Sequence, residues 1–356
     1  MIGFGPSLLR LRELGLMADS AELPDPTRLR SWLSEHVPGF QGPVTPEALR
    51  GGQSNPTFRL RSSCGDLVLR RKPVGQLLPS AHAVEREYRV LRALVHSAVP
   101  VPVAHGLCDD PGVIGSVFYV MDYVPGRIFE DSRMPGVSRA ERSELFDAMN
   151  QVISALHTID PAAVDLADFG RTGKYIERQV ARWKKQYYAS ITDPIDEMER
   201  LIEWLEARIP EDHSARIVHG DFKVDNIVFH PVESRIVALL DWELATIGDP
   251  LADFAFHLMA WHLEPDLFRG WAGEDLADLG IPSERDYAAA YERRTGTKTI
   301  SDWRFYLVFS MFRLAAILQG IAKRVESGNA SDPGASRVAH QARPVAARAW
   351  RLASST

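Results

Sequence analysis

Cysteine is nearly absent from this chain: Cys64 and Cys108 are its only two. Two thiols cannot build a disulfide framework, so a reducing, cytoplasmic setting is the expectation. Uninterrupted apolar runs are missing as well. The longest apolar stretch, Phe305 to Ala322, carries Arg313 and Gln319 near its middle and reads as a buried helix rather than a membrane span. The first twenty residues lack the core of a signal peptide, because Arg10, Arg12 and Glu13 break it. Nor is there an excess of positive charge. With 41 Lys and Arg against 47 Asp and Glu the net charge is −6, which does not suggest a nucleic-acid binder. No Gly-x-Ser-x-Gly, no Cys/His pair and no zinc-like histidine spacing points to a hydrolase or a zinc site. What is there is an apolar fraction of 45% spread over 356 residues, enough for two or three compact units at roughly 100–200 residues each.

The chain divides by character. Residues 1–26 read as a loosely attached lead ending in Leu23-Pro24-Asp25-Pro26, and a first helix is expected from Thr27 to about Val37 with Thr27 as its cap. From Leu49 to Tyr123 the pattern is strand-like. Thr57–Arg61 and Leu67–Arg70 alternate around a turn at Ser62–Asp66, and Val117–Met121 follows later. One helix interrupts this stretch, with Val84, Tyr88, Leu91 and Val95 on one face. After Pro125 the pattern turns mainly helical, over 138–158, 171–189, 194–208, 249–263, 283–295 and 301–325. A β insert lies at Arg216–His219, Asn226–His230 and Ile236–Leu240. The expected domains are 1–26 as an extension, 27–121 as a small β-rich lobe and 122–356 as a larger helical lobe. In such a layout a ligand would sit between the lobes.

The strongest chemical signal is His219-Gly220-Asp221-Phe222-Lys223-Val224-Asp225-Asn226, of the form His-x-Asp-x4-Asn, the catalytic-loop spacing of protein kinases. In that role Asp221 orients and deprotonates an attacking hydroxyl, Asn226 holds a Mg²⁺, and Lys223 reaches the transferring phosphoryl group. Fifteen residues after Asn226, at the end of an apolar run, comes Asp241 in Asp241-Trp242-Glu243. A strand, a turn at Pro231–Ser234 and a returning strand would bring Asn226 and Asp241 to one metal, and Mg²⁺ favours such oxygen ligands completed by phosphates and water. The bland alternative is that Asp221 and Asp241 only cap loops. Asp241 stands eight residues before Asp249, which leaves no room for a long phosphorylatable activation segment, so a protein substrate is not expected.

These motifs, with Gly248-Asp249-Pro250-Leu251-Ala252-Asp253, resemble the aminoglycoside-phosphotransferase-like (choline-kinase-like) small-molecule kinases. Gly51–Thr57, Leu69-Arg70-Arg71-Lys72-Pro73, Arg178–Trp183 and Arg313–Ile317 are similar to the branch fused to some acyl-CoA dehydrogenases. The resemblance covers roughly residues 27–350. It implies an α+β, two-lobed, protein-kinase-like fold, with ATP and Mg²⁺ as cofactors. It also implies that Gly51–Asn55 turns over the ATP phosphates, with Ser54 and Asn55 as donors, although an ordinary hairpin turn reads the same way. The phosphate-pairing cation, normally Lys, falls on Arg70, with Lys72 on the same face as the alternative. Glu87 is expected to brace that cation, Glu85 being near and also available. The Asp122 carbonyl and Val124 amide are expected to pair with adenine. His219 is expected to pack under the metal loop.

Acceptor choice rests on charge. Between Arg171 and Tyr188 there are six Lys or Arg against Glu177 alone, and another six follow Ile321 against Glu326 and Asp332. A pocket for polycationic aminoglycosides should be acidic, so an anionic small-molecule acceptor fits better, a hydroxyacyl-CoA being the candidate the fused relatives suggest. Arg178, Arg182, Trp183, Lys184 and Lys185 are the candidate acceptor residues; a solvated helix face is the alternative. A catalytically silent nucleotide-binding module and an aminoglycoside- or choline-type kinase are the competing functions. No nucleic-acid, membrane or obligate protein partner is expected.

Overall fold

The computed structural model describes residues 25–49, 55–73, 83–211, 215–268, 270–297, 303–328 and 338–355. The described residues fall into two compact units, one made of those up to Tyr88 with Ala104–Tyr123, the other of Arg89–Val103 with those from Val124 onward.

The first unit is built on an antiparallel sheet of β1 (Val44–Ala48), β2 (Thr57–Ser62), β3 (Leu67–Arg71), β4 (Ala104–Cys108) and β5 (Phe118–Asp122), in the order β1-β2-β3-β5-β4. Period-two alternation sorts its faces. Phe58, Leu60, Leu67, Leu69, Phe118 and Val120 pack under Leu29, Trp32 and Leu33 of the helix Pro26–His36. The N-cap of that helix is Asp25, whose carboxylate accepts the Thr27 N–H at 2.8 Å, and not Thr27 as the sequence suggested. Pro26 lacks an N–H and has its φ preset, so it takes the first helical position and puts the cap at Asp25, two residues before Thr27. β5 likewise runs one residue past Met121, to Asp122.

The second unit is mainly helical. Its helices include Arg139–Thr158, Tyr175–Ser190, Asp196–Glu206, Pro250–Leu258, Glu284–Thr295, Trp303–Glu326 and Ala342–Ser354. Trp303–Glu326 is long and apolar enough by length and composition to cross a membrane, but 72% of its apolar window is buried, as in a core helix. Two small ribbons complete the unit: β6 (Arg216–Val218) pairs with β9 (Thr246–Gly248), and β7 (Ile227–Phe229) with β8 (Ile236–Leu239), both antiparallel.

Candidate active site

The loop from His219 to Asn226 leaves β6 and turns at Gly220, where φ is +82° and a Cβ would meet the Leu244 carbonyl at 2.8 Å. Only glycine fits that turn. A buried carboxylate then anchors the backbone: Asp253 accepts the N–H groups of His219 at 2.7 Å and Gly220 at 2.8 Å, and lies 3.1 Å from His157 Nε2. Burial pushes the Asp253 carboxyl up, but His157, His219 and these donors hold it below the ordinary value. Removing an acceptor from a buried donor costs about 1–3 kcal/mol, so Asp253→Ala, which orphans two, is expected to cost on the order of 2–6 kcal/mol in urea unfolding. His219 is fully buried against Trp242, its Nε2 donating to the Leu240 carbonyl at 2.9 Å and its Nδ1 accepting the Asp221 N–H at 3.2 Å. Both ring nitrogens are therefore engaged, and His219 is a strut for the loop rather than a proton carrier.

Asp221 is held from three sides. Lys223 Nζ lies 3.1 Å from its Oδ2, Asn226 Nδ2 donates to the same oxygen at 3.0 Å and to the Asp221 carbonyl at 2.9 Å, and Arg313 donates to the Gly220 carbonyl at 2.6 Å. Burial pushes the Asp221 carboxyl up, against the opposing pull of Lys223, His219 and Arg313. The same burial pulls the Lys223 ammonium down, yet Asp221, Asp225 and Asp241 together raise it, so Lys223 stays a cation beside the carboxylate. A carboxylate poised upward in pKa and fixed in a rigid loop suits proton acceptance from a hydroxyl.

The β7–β8 ladder sets where Asp241 falls relative to Asn226. Ile227 stands opposite Leu239, and the Leu240 N–H donates to the Asn226 carbonyl at 2.8 Å, so Asp241 follows directly after the residue bonded to Asn226. Asp241 sits in the left-handed region at φ +64°, a conformation that costs energy for a side-chain-bearing residue and is concentrated at functional sites. With its Nδ2 committed to Asp221, Asn226 has its Oδ1 left for a cation. One carboxylate and one amide oxygen fit Mg²⁺, a hard cation that takes few protein oxygens and completes its shell with phosphates and water.

In the first unit, the strand register explains the Arg70 environment. Arg70 stands cross-strand from Tyr119, and both reach Glu87: Arg70 Nε lies 3.2 Å and the Tyr119 hydroxyl 3.2 Å from its Oε2. Glu87 is 1% exposed and Arg70 11%, whereas Lys72 pairs with the more exposed Glu85. Of the two candidate cations, Arg70 is therefore the more buried and the one braced by Glu87. Asn55 departs from expectation. It is fully buried with its Nδ2 donating to Glu87 Oε1 at 2.9 Å, so its amide braces the ion pair instead of facing outward as a phosphate donor. Ser54 lies outside the described residues. The Asp122 side chain bonds His105 at 2.6 Å, and Val124 follows two residues later, half-buried.

The five candidate acceptor residues do not act as one group. All lie on the helix Tyr175–Ser190. Arg178 donates to the Arg171 and Gly173 carbonyls at the helix start, and Lys184 pairs with Glu206 at 2.7 Å. Arg182 lies over the Trp183 ring, and Lys185 is exposed. Trp183 is buried and leads to the loop through a residue that the sequence marked only as part of a resemblance. The Arg313 guanidinium lies 5.4 Å from the Trp183 ring, 4.7 Å from the Phe256 ring, and bonds Gly220. No local signal marks that contact, because Gly220 and Arg313 lie 93 residues apart.

An antiparallel sheet with a buried Arg–Glu pair, and a helical unit carrying Asp221, Lys223, Asn226 and Asp241, is the architecture of kinase-like phosphotransferases. The model of the phosphotransferase enzyme family matches residues 45–304, and the chain belongs to that family. It is 48% identical to a Ralstonia eutropha protein of known crystal structure assigned to the aminoglycoside phosphotransferases, with a TM-score of 0.86 over 93% of this chain and 98% of that one. Aminoglycoside phosphotransferase APH(4)-Ia, solved with AMP-PNP and hygromycin B, shares the fold at 17% identity and a TM-score of 0.61, over 93% of this chain and all of that one. Among curated proteins, the chain is 44% identical to mouse acyl-CoA dehydrogenase family member 10 over 88% of its own length. It is 39% identical to human family member 11 over 93%. It spans 30% and 43% of those two relatives.

Proposed function

We propose that this protein transfers the γ-phosphoryl group of ATP to a hydroxyl of a small anionic acceptor, a hydroxyacyl-CoA or a related hydroxy acid. The observation that carries the reading is the half-buried Asp221 carboxylate, fixed by Lys223 and Asn226 one ladder step from Asp241. Asp221 takes the acceptor proton as the oxygen attacks phosphorus. The bond from the γ-phosphorus to the bridging oxygen breaks, and ADP leaves with the bond pair. Lys223, a cation at the carboxylate, meets the charge on the transferring group. Arg70, held by Glu87, would take the nucleotide phosphates, and the Asp122 carbonyl and Val124 amide would read adenine. Asn226 and Asp241 would hold Mg²⁺, which when bound neutralises the β- and γ-phosphates.

Two observations favour an anionic acceptor over a polycation: the cations nearest the base are Lys223 and Arg313, and the relatives carry acyl-CoA dehydrogenase names. The test is ATP consumption, with and without Mg²⁺, against hydroxyacyl-CoAs, free hydroxy acids, choline and aminoglycosides. Mg²⁺-dependent turnover with the first two groups is expected. Turnover only with aminoglycosides or choline would move the protein to that kinase type, and no turnover with any acceptor would make it a silent nucleotide-binding module.

A further inference from the structure

Beside the catalytic loop, wholly within the helical unit, lies a cavity of about 310 Å³. Its walls are mostly carbon: Phe222, Val224, Phe256, Met259, Phe268 and Trp271. Apart from Asp266, which is exposed, the polar residues on this side are turned to one another. Trp271 Nε1 donates to Ser132 Oγ at 3.0 Å, while Gln341 donates to the Asp266 carbonyl at 3.0 Å and accepts the Phe268 N–H at 3.2 Å. His257 lies 3.1 Å from the Tyr287 hydroxyl, and burial pushes its imidazole down to about 4, so that wall is uncharged at neutral pH. On the loop side the cavity is bordered by Lys223 and Asp225, which pair at 3.7 Å, and Lys223 also touches the Asp221 carboxylate at 3.1 Å. An acceptor hydroxyl at Asp221 therefore stands one side chain away from an apolar chamber.

We propose that this chamber is the subsite for an unbranched hydrocarbon chain carried by the acceptor, and that its far wall sets the chain length accepted. The proposal rests on the phosphotransferase reading above and specifies the acceptor further. An apolar cavity of about 150 Å³ stays dry and accepts benzene. On that scale this one has room for about a dozen carbons, and it sits at the small end of ligand pockets, roughly 300–1,000 Å³. A polyhydroxylated, polycationic antibiotic would find few unengaged polar groups there, whereas a methylene chain needs none.

The test is binding as well as turnover. Butanoate, octanoate and dodecanoate are titrated calorimetrically into the protein with ADP present, and the matching 3-hydroxy acids are assayed with ATP. Affinity should rise up to about fourfold per added methylene until the chamber is full. Ala260→Leu, which fills part of the lining, should weaken dodecanoate by at least tenfold and leave butanoate unchanged. Met259→Ala, which enlarges it, should extend the length range. Flat affinity across the series in the wild type, or equal weakening of short and long chains by Ala260→Leu, would overturn the subsite. Phosphoryl transfer without length dependence sinks the subsite alone. Length-dependent binding with no transfer to any hydroxylated chain keeps the subsite and sinks the phosphotransferase reading.

Discussion

Asp221→Asn is expected to lower phosphoryl transfer by at least about 10²-fold while leaving the affinity for Mg·ATP nearly intact. A positioned general base contributes typically 10²–10⁴-fold, and the substitution removes proton acceptance while keeping the shape of the side chain. Asn226 can still donate to the new amide oxygen, as it does to Asp221 Oδ2 at 3.0 Å, so the loop should hold its form. The loss should lie in kcat, because the carboxylate acts on the acceptor proton and not on the nucleotide. Single-turnover kinetics with a hydroxylated acceptor, set beside an independent measurement of nucleotide affinity, checks both halves. Turnover above a few per cent of wild type would remove Asp221 from the role of base.

Asp241→Ala is expected to show the opposite pairing, with turnover lost and nucleotide binding made insensitive to Mg²⁺. In the proposed metal site Asp241 is the one carboxylate, so its loss would leave Asn226 as the sole protein ligand, and the β- and γ-phosphates would have less compensating charge. The residue also carries a left-handed backbone at φ +64°. Alanine does not relieve that conformation, so Asp241→Gly serves as a control with the same chemical loss and without the strain. Titration of a fluorescent ATP analogue with and without Mg²⁺ reads the effect. A wild-type-like Mg²⁺ dependence in both variants would contradict the metal assignment.

Much of this architecture can be read from local pattern. The helices after Pro125 carry apolar residues at helical spacing, and the ribbon from Ile227 to Leu239 announces itself by two apolar runs around Pro231–Ser234. The reactive loop is legible because its residues are close in sequence and their spacing has a mechanical meaning. Three strands were not legible. β1 contains Pro46 and lies at the edge of its sheet, where a missing N–H is tolerated, so its sequence does not resemble a strand. β4 has Gly106 within it and a register shift beside it, and β9 is three residues long and defined only by its partner β6.

The same division holds within the site. The pairing of Arg70 with Glu87 is a matter of register, because Tyr119 opposite it and Glu87 on the adjoining helix converge only in three dimensions. The inward turn of Asn55 answers a buried carboxylate 32 residues away, whose Oε1 accepts its amide. Charge density along the helix Tyr175–Ser190 suggested an acceptor site, but composition cannot show that Lys184 is engaged by Glu206 or that Arg178 serves the helix's own start. The apolar chamber is assembled from the catalytic loop, the segment 256–271 and Gln341, and no single window of sequence contains enough of it to signal a cavity.

If Asp221 drives transfer of phosphorus to a hydroxyl, as proposed, the reaction can be followed on the phosphorus itself. The protein is incubated with ATP, Mg²⁺ and the hydroxylated acceptor that supports turnover, and the products are resolved by ³¹P NMR. A new phosphate-ester resonance is expected to grow in step with ADP in the wild type and to be absent with Asp221→Asn. ADP and inorganic phosphate alone, or an ester resonance of equal size in both proteins, would contradict the proposal.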